Sequence, residues 1–422
     1  CIAEDSGEVV IEEMEYTFES ELLWSYDLTS FPRQDLTPEG YNSISKNGNF
    51  VALRAGGVFN SFRGGALFYR GNLIYSSFEN PRIDNISVSH NGQFAIVPIY
   101  YEDWESPNRI ICVDTLGDTV WECRKAYTSY GKAFVSWNDS FLACIDGRTR
   151  EWHWHNIFIF MPWRSNHTVI LNAQTGEVID SLNENLAGYI TDVRFTGDMK
   201  FVYFMYFDSL AIYDGYFNYI NSAFPLFNCP PKDSLSYLSF PYYDISKFDN
   251  NIYVYLPFAF DTVKGTMPED FWIYNPDGEF IIQAVCLDSF GNIIWRKNTD
   301  GLKVGRFQMS CSGRYTLGYT DENCPIKQVA LWKTQTNELL FYRNFPQDTS
   351  YEAKWSKWCD IYENPENDHI LIKVTTQDTT IYLHSNGADA NVDLQGITLF
   401  PDNPVFGYRK DGNIFKLFRV RW

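Results

Sequence analysis

The 422-residue sequence is poor in the groups that do chemistry. Only six His and nine Cys are present, and the cysteines form no C-x-x-C pair and no paired metal spacing, so zinc-ribbon and thioredoxin-type readings fall away. There is no G-x-S-x-G nucleophile elbow, no Walker loop and no dinucleotide fingerprint. Asp- and Asn-containing turns at 114–118, 275–278 and 288–292 lack the twelve-residue ligand ladder and closing Glu of a calcium loop. The longest apolar runs, Asn156-Ile-Phe-Ile-Phe-Met161 and Phe201-Val-Tyr-Phe-Met-Tyr-Phe207, are far shorter than the roughly 18 to 20 residues that span a bilayer as a helix. Positive charge is scarce as well. With 34 bases against 53 acids the net charge is −19, which repels phosphate backbones and anionic membrane surfaces, so nucleic acid is not an expected partner.

Aromatic residues are abundant. They make up 18% of the chain, as 28 Tyr, 33 Phe and 13 Trp. Flat rings suit a pleated surface, and Gly, Asn and Asp punctuate the apolar runs, so the chain reads as all-β. One stretch recurs: Val113-Asp-Thr-Leu-Gly-Asp-Thr-Val-Trp121 returns as Leu287-Asp-Ser-Phe-Gly-Asn-Ile-Ile-Trp295. Each is a strand, a turn centred on Gly117 or Gly291, and a second strand carrying a Trp, which predicts a hairpin. A second signature also recurs, at Ser45-Lys-Asn-Gly48-Asn-Phe50, Ser89-His-Asn-Gly92-Gln-Phe94, Ser136-Trp-Asn-Asp139-Ser-Phe141 and Ser310-Cys-Ser-Gly313-Arg-Tyr315. Weaker copies lie at 196–201, 246–252, 362–370 and 400–405, making eight at intervals of about 50 residues, the period of a four-stranded sheet repeated around an axis. The last unit, 396–420, supplies only three strands. Leu22-Leu-Trp-Ser-Tyr-Asp-Leu28 looks like an outer strand without a partner before it, and pairing it with Asn413–Phe418 would leave no long sheet edge open.

These repeats, with Asp411-Gly412-Asn413 as a third-strand turn, resemble the WD-repeat and quinoprotein-like families of β-propellers over residues 22–421. The resemblance implies a single propeller of eight four-stranded blades, with seven as the alternative if 236–297 or the end from Trp355 is cut differently. The N-terminal strand would complete the last blade. No Gly-His pair or Trp-Asp dipeptide occurs at the usual places, and without Gly- and Trp-rich docking motifs no bound quinone is implied.

Residues 1–20 read as an acidic flexible tether and 21–422 as the propeller. The chain begins at Cys1, and nine acids precede the first base, Arg33; such a segment does not fold alone. Cys1 is expected to be the lipid attachment site of a bacterial lipoprotein facing the periplasm or the cell exterior. A bond between Cys112 and Cys123 is the one disulfide considered, against the reading of both as packed thiols.

Where a propeller's second and third strands connect, the loops are enlarged, at 54–66, 98–108, 146–166 and 259–270. Trp104, Arg148, Arg150, Trp152, Trp154, Trp163 and Arg164 fall on them. Aromatic faces and guanidinium forks suit a glycan or a protein loop; packing against the loops' own backbone is the alternative. His153 and His155, two apart, share a face if extended and are weak metal candidates lacking further ligands. The expected function is a non-catalytic monomer, without cofactor, that binds a protein or glycan partner. A glycan lyase or hydrolase in the central funnel is one alternative, and a metal- or redox-binding propeller another.

Overall fold

The computed structural model describes residues 18–33, 35–38, 43–55, 64–78, 82–83, 86–100, 109–124, 133–136, 138–145, 167–183, 190–196, 200–206, 210–223, 235–237, 242–260, 280–320, 327–345, 359–364, 367–375 and 380–422. These residues form eight antiparallel sheets. In sequence order, sheet 1 contains Phe50–Ala55, Gly64–Tyr69 and Asn72–Ser77. Sheet 2 has a split inner strand, Arg82–Ile83 and Ser87–Val88, then Phe94–Tyr100, Arg109–Asp114 and Thr119–Cys123. Sheet 3 holds Ala133–Val135, Phe141–Ile145, His167–Asn172 and Val178–Asn183. Sheet 4 holds Ile190–Phe195, Phe201–Tyr206, Leu210–Asp214 and Tyr219–Ala223. Sheet 5 again splits its inner strand, as Leu235–Tyr237 and Tyr242–Ile245, before Ile252–Phe260, Phe280–Leu287 and Ile293–Asp300. Sheet 6 comprises Arg306–Met309, Tyr315–Tyr319, Lys327–Lys333 and Glu338–Phe345. Sheet 7 comprises Cys359–Glu363, Ile370–Thr375 and Thr380–Leu383. Sheet 8 joins Thr398–Leu399, Phe406–Asp411 and Ile414–Arg421 to the N-terminal strand Glu19–Asp27. The one helical turn among the described residues is a 3-10 turn, Leu28–Ser30, and no helix is long and apolar enough to cross a membrane.

The N-terminal strand lies where the sequence places it. It pairs antiparallel with the C-terminal strand from Glu19 opposite Arg421 to Asp27 opposite Ile414, with a bulge between Leu22 and Trp24. Glu19 and Glu21 face Arg421 and Arg419, an opposite-charge register that favours this pairing over a slipped one. Trp24 packs between sheets, its ring centroid 5.6 Å from Phe68 of sheet 1 and 5.6 Å from Phe415 of sheet 8.

Two sheets depart from four strands. In sheet 1 the inner position is held by single bridges, Thr37 to Arg54 and Ile44 to Val51. In sheet 7 no outer strand forms beyond a single bridge after Thr380–Leu383. Leu383 bridges Asp389 and the Ala390 N–H donates to the Tyr382 carbonyl at 2.8 Å. The chain then leaves the edge because Ala390, Val392 and Leu394 gain more by packing into the core shared with sheet 8.

Six pairs of consecutive sheets pack face to face. Buried clusters join sheet 8 to 1 (Leu417, Phe415 and Phe68), 1 to 2 (Leu67 and Val97), 2 to 3 (Ile110 and Leu171), 5 to 6 (Tyr255 and Trp332), 6 to 7 (Leu331 and Ile372) and 7 to 8 (Tyr362 and Leu399). Cys112 and Cys123 contribute as free buried thiols. Cys112 stands opposite Trp121 and Cys123 opposite Ile110, so the two are diagonal rather than facing, and no disulfide forms.

The repeated hairpin stretch now has a physical role. Its Trp reaches across to the corresponding turn of the following sheet: Trp121 Nε1 donates to the Ala173 carbonyl at 3.0 Å, and Trp295 Nε1 to the Gln335 carbonyl at 3.0 Å. At the same junction a Cβ on Gly176, which sits at φ +71°, would lie 2.6 Å from the Trp121 ring. Trp24 covers Gly71 and Phe341 covers Gly387 in the same way. Gly176→Ala is therefore expected to cost about 2–4 kcal/mol by combining backbone strain with a blocked ring contact. Gly412→Ala, at φ +62° with open space around it, should cost only about 1 kcal/mol. Urea denaturation of the two variants measures the difference.

Candidate functional site

The turns between an inner strand and its neighbour at Ser45, Ser89, Ser136, Ser246 and Ser310 are built around a buried hydroxyl. Ser45 Oγ accepts from Phe50 N at 3.0 Å and donates to Asn47 Oδ1 at 2.7 Å, while Gly48 N closes the turn onto the Ser45 carbonyl at 2.9 Å. Ser89 and Ser310 repeat this with Phe94 N and Tyr315 N. In the third copy Asp139 takes the glycine's left-handed place at φ +57°. Ser246 and Asn364 close wider turns, receiving Asn250 N at 2.8 Å and Asp368 N at 3.0 Å on their carbonyls.

These turns lie at one end of the sheets and are linked from sheet to sheet. Asn403 Nδ2 of sheet 8 donates to the Ser45 carbonyl at 3.2 Å. Lys46 N donates to the His90 carbonyl at 3.0 Å, and Asn47 Nδ2 to the Asn91 carbonyl at 3.0 Å. The Asp139 carboxylate of sheet 3 then receives His90 N at 2.7 Å and Asn91 N at 2.8 Å. On the far side, the Glu363 carboxylate of sheet 7 receives Ser312 N at 2.9 Å and Ser312 Oγ at 2.6 Å from sheet 6. Asn364 and Asn367 of sheet 7 donate to the Trp422 carbonyl of sheet 8, and Arg194 of sheet 4 meets Asp244 of sheet 5 at 3.5 Å.

Asp139 and Glu363 are 2% and 1% exposed. Buried carboxylates of this kind are where acid/base chemistry would be sought, yet both are engaged by N–H and O–H donors of the preceding turn. Their work is to tie turns together.

The residue after the hydroxyl of each turn differs from copy to copy: Lys46, His90, Lys247, Cys311. Lys247 keeps solvent access while protein surrounds it. That enclosure holds its amine below the usual lysine range, opposed by the negative charge of Asp402. The same Asp402 acts on the Cys311 thiol, which burial and Glu363 push up to about 12. Asp402 belongs to sheet 8 and Lys247 to sheet 5, so turns from separate sheets converge on one polar end. No group of three or more His, Cys, Asp or Glu able to hold a metal occurs among the described residues.

The sequence-predicted binding residues, Trp104, Arg148, Arg150, Trp152, Trp154, Trp163 and Arg164, lie outside the described residues, as do His153, His155 and Cys1. What the structure gives is their setting. The second strands end at Ala55, Tyr100, Ile145 and Phe260 and the third begin at Gly64, Arg109, His167 and Phe280, at the end of the sheets opposite the linked turns. Sequence reading found the Ser-x-x-Gly turns but missed the sheet-to-sheet bonds of Asp139, Glu363 and Asn403. The one available signal was an acid replacing glycine in Ser136-Trp-Asn-Asp139.

Glu363→Ala strands the donors of Ser312 and is expected to cost about 3–5 kcal/mol, and Glu363→Gln less, in urea melts. Burial also pushes the Cys112 and Cys286 thiols up to about 12. Both should resist thiol reagents at pH 8 until the protein unfolds. A thiol whose pKa is raised on folding stabilises fully below its unfolded value near 8.5, and that contribution is lost as pH climbs toward 12. Thermal melts should show stability falling across this alkaline window.

No family profile matches the sequence, and no curated protein matches it. Solved structures are similar in shape. "Structure of Dos1 propeller" matches with a TM-score of 0.52 and 12% identity over 95% of both chains. BamB from Moraxella catarrhalis matches with a TM-score of 0.46 and 10% identity over 95% of this chain and 98% of that one. The Cps50 (Swd1) β-propeller domain of Myceliophteria thermophila matches with a TM-score of 0.43 and 8% identity over 81% and 98%. The sheet order, the packing of consecutive sheets and the first of these likenesses agree on the fold, which is a β-propeller.

Proposed function

We propose that this propeller is a non-catalytic binding scaffold whose partner, a protein or a glycan, docks on the face of enlarged loops. The observation that carries the reading is the contrast between the two ends of the sheets. At one end, short turns are tied to each other by hydrogen bonds that use up their buried carboxylates. At the other end, long connections such as 146–166 and 261–279 interrupt otherwise regular strand pairs. A rigid scaffold bearing variable loops on one end favours recognition there. The fold itself is consistent with a protein-binding scaffold.

In this proposal the eight sheets are eight blades of one closed ring. Packing is continuous from sheet 5 through 8 to sheet 3, with Arg194 and Asp244 extending it to sheet 4. The contact surface includes Trp104, Trp152, Trp154 and Trp163 with Arg148, Arg150 and Arg164. In this proposal the scaffold works in the periplasm or at the cell surface, with the acidic segment 1–20 as a tether. The absence of Lys and Arg before Arg33 supports a solvated spacer.

Crosslinking pull-downs from bacterial envelope fractions, run beside a glycan array, test the reading. A partner captured by the wild-type chain should be lost, with affinity down about tenfold or more, in the Trp152→Ala/Trp154→Ala variant. Capture unchanged by that variant, with the fold intact, would remove the loop face from consideration.

A further inference from the structure

A second surface, on the rim of the propeller, also carries the marks of a docking site. Fifteen large hydrophobic residues are exposed among the described residues, and seven of them lie on sheets 4 and 5. Six gather where the outer strands and hairpin turns of these two sheets adjoin: Tyr216, Tyr219, Ile220, Phe290, Ile293 and Ile294. Tyr216 is 88% exposed and the three residues from sheet 5 about half exposed. The two sheets are fixed to each other at this place, since Asn221 Nδ2 donates to the Phe290 carbonyl at 3.1 Å. Scattered apolar residues on a surface are ordinary, whereas six on neighbouring outer strands and turns that a cross-sheet bond joins mark an interaction surface.

Elsewhere on the rim the exposed apolar side chains are fewer per sheet, and on sheets 2 and 6 they stand beside ion pairs. On the outer strand of sheet 2, Glu122 is held by Arg109 and Arg124, and on that of sheet 6 Glu338 pairs with Lys333 and Arg343 with Asp389. Charges of this kind keep outer strands from sticking to other chains. Sheets 4 and 5 lack them in the apolar half of their outer strands. Arg296 and Lys297 come only beyond it, and the Lys297 amine is turned onto the Trp295 ring and toward sheet 6.

The charge beside the patch defines its partner. Tyr216 and Phe290 sit at the tips of turns that begin with Asp214 and Asp288. Each carboxylate accepts hydrogen bonds from its own turn, and these hold Asp214 below the usual carboxylate range, so it keeps its charge. Set in a chain of net charge −19, the patch attracts cations and repels a second copy of the chain.

We propose that this rim of sheets 4 and 5 docks a partner-protein segment that combines basic and apolar side chains, the apolar ones covering Tyr216, Phe290 and Ile294 and the basic ones meeting Asp214 and Asp288. The surface is distinct from the enlarged-loop face, so both can be occupied together.

Fluorescence anisotropy with two labelled peptides, Lys-Leu-Lys-Trp-Lys-Leu and Glu-Leu-Glu-Trp-Glu-Leu, tests it on the full chain. The basic peptide should bind about tenfold or more tighter than the acidic one. Its affinity should fall about tenfold in Tyr216→Ser/Ile294→Ser and severalfold in Asp214→Asn/Asp288→Asn, but stay unchanged in Tyr342→Ser on sheet 6. Tyr216, Ile294 and Tyr342 are exposed and Asp214 and Asp288 half-buried, and thermal melts check that the variants remain folded. Equal binding of the two peptides overturns the proposal. So does basic-peptide binding that ignores the Tyr216/Ile294 variant, which would be attraction by net charge alone. A dimer that is abolished by the same variant and excludes the basic peptide would identify a second copy as the occupant and overturn it too.

Discussion

The structure depends on an interlock between neighbouring sheets in which an aromatic side chain of one outer strand lies over a left-handed glycine in the next sheet's hairpin turn. Trp24 on Gly71, Trp121 on Gly176 and Phe341 on Gly387 are three occurrences. Only hydrogen fits beneath the ring, and only glycine holds the turn's backbone without strain. The indole N–H of Trp121 adds a hydrogen bond to that turn, which makes the contact directional as well as apolar. At these three junctions one sheet thereby fixes the angle of the next.

A second set of contacts acts at the opposite edge of each sheet. There, polar turns replace aromatic rings, with Asp139 and Glu363 drawing in backbone N–H groups of the preceding sheet. The outer interlock relies on burial and the inner one on charge-assisted hydrogen bonds. The inner bonds engage the carboxylates of Asp139 and Glu363 and leave the longer connections to the other end of the sheets.

Much of this was legible because turns have strict chemical needs. The four strong Ser-containing signatures and the turns at Gly117 and Gly291 all occur as read. The N-terminal strand carrying Trp24 pairs with the last strand, a match visible as an outer strand without a partner. Other features were hidden by compensation. Phe217 occupies the left-handed position of its turn at φ +63°, where glycine would be expected; burial of its ring, 5% exposed, offsets the backbone strain. Sheet 7 lost its outer strand to the packing of Val392 and Leu394, a competition between two apolar environments that residue patterns alone do not rank. The bonds across sheets by Asp139 and Glu363 join residues about one repeat apart, which no local window reads. The loop residues Trp152 and Trp154 belong to no repeat, and repetition was the signal that located everything else.

Phe18 and Trp422 stack with ring centroids 5.7 Å apart at an angle of 15°, side by side at the linked-turn end. A chain starting at Phe18 could therefore be closed onto Trp422 by a few added residues and cut instead at another hairpin without disturbing the array. Sheet numbering is in that sense arbitrary, and a circular permutant broken between sheets 3 and 4 would carry the same contacts in a different order.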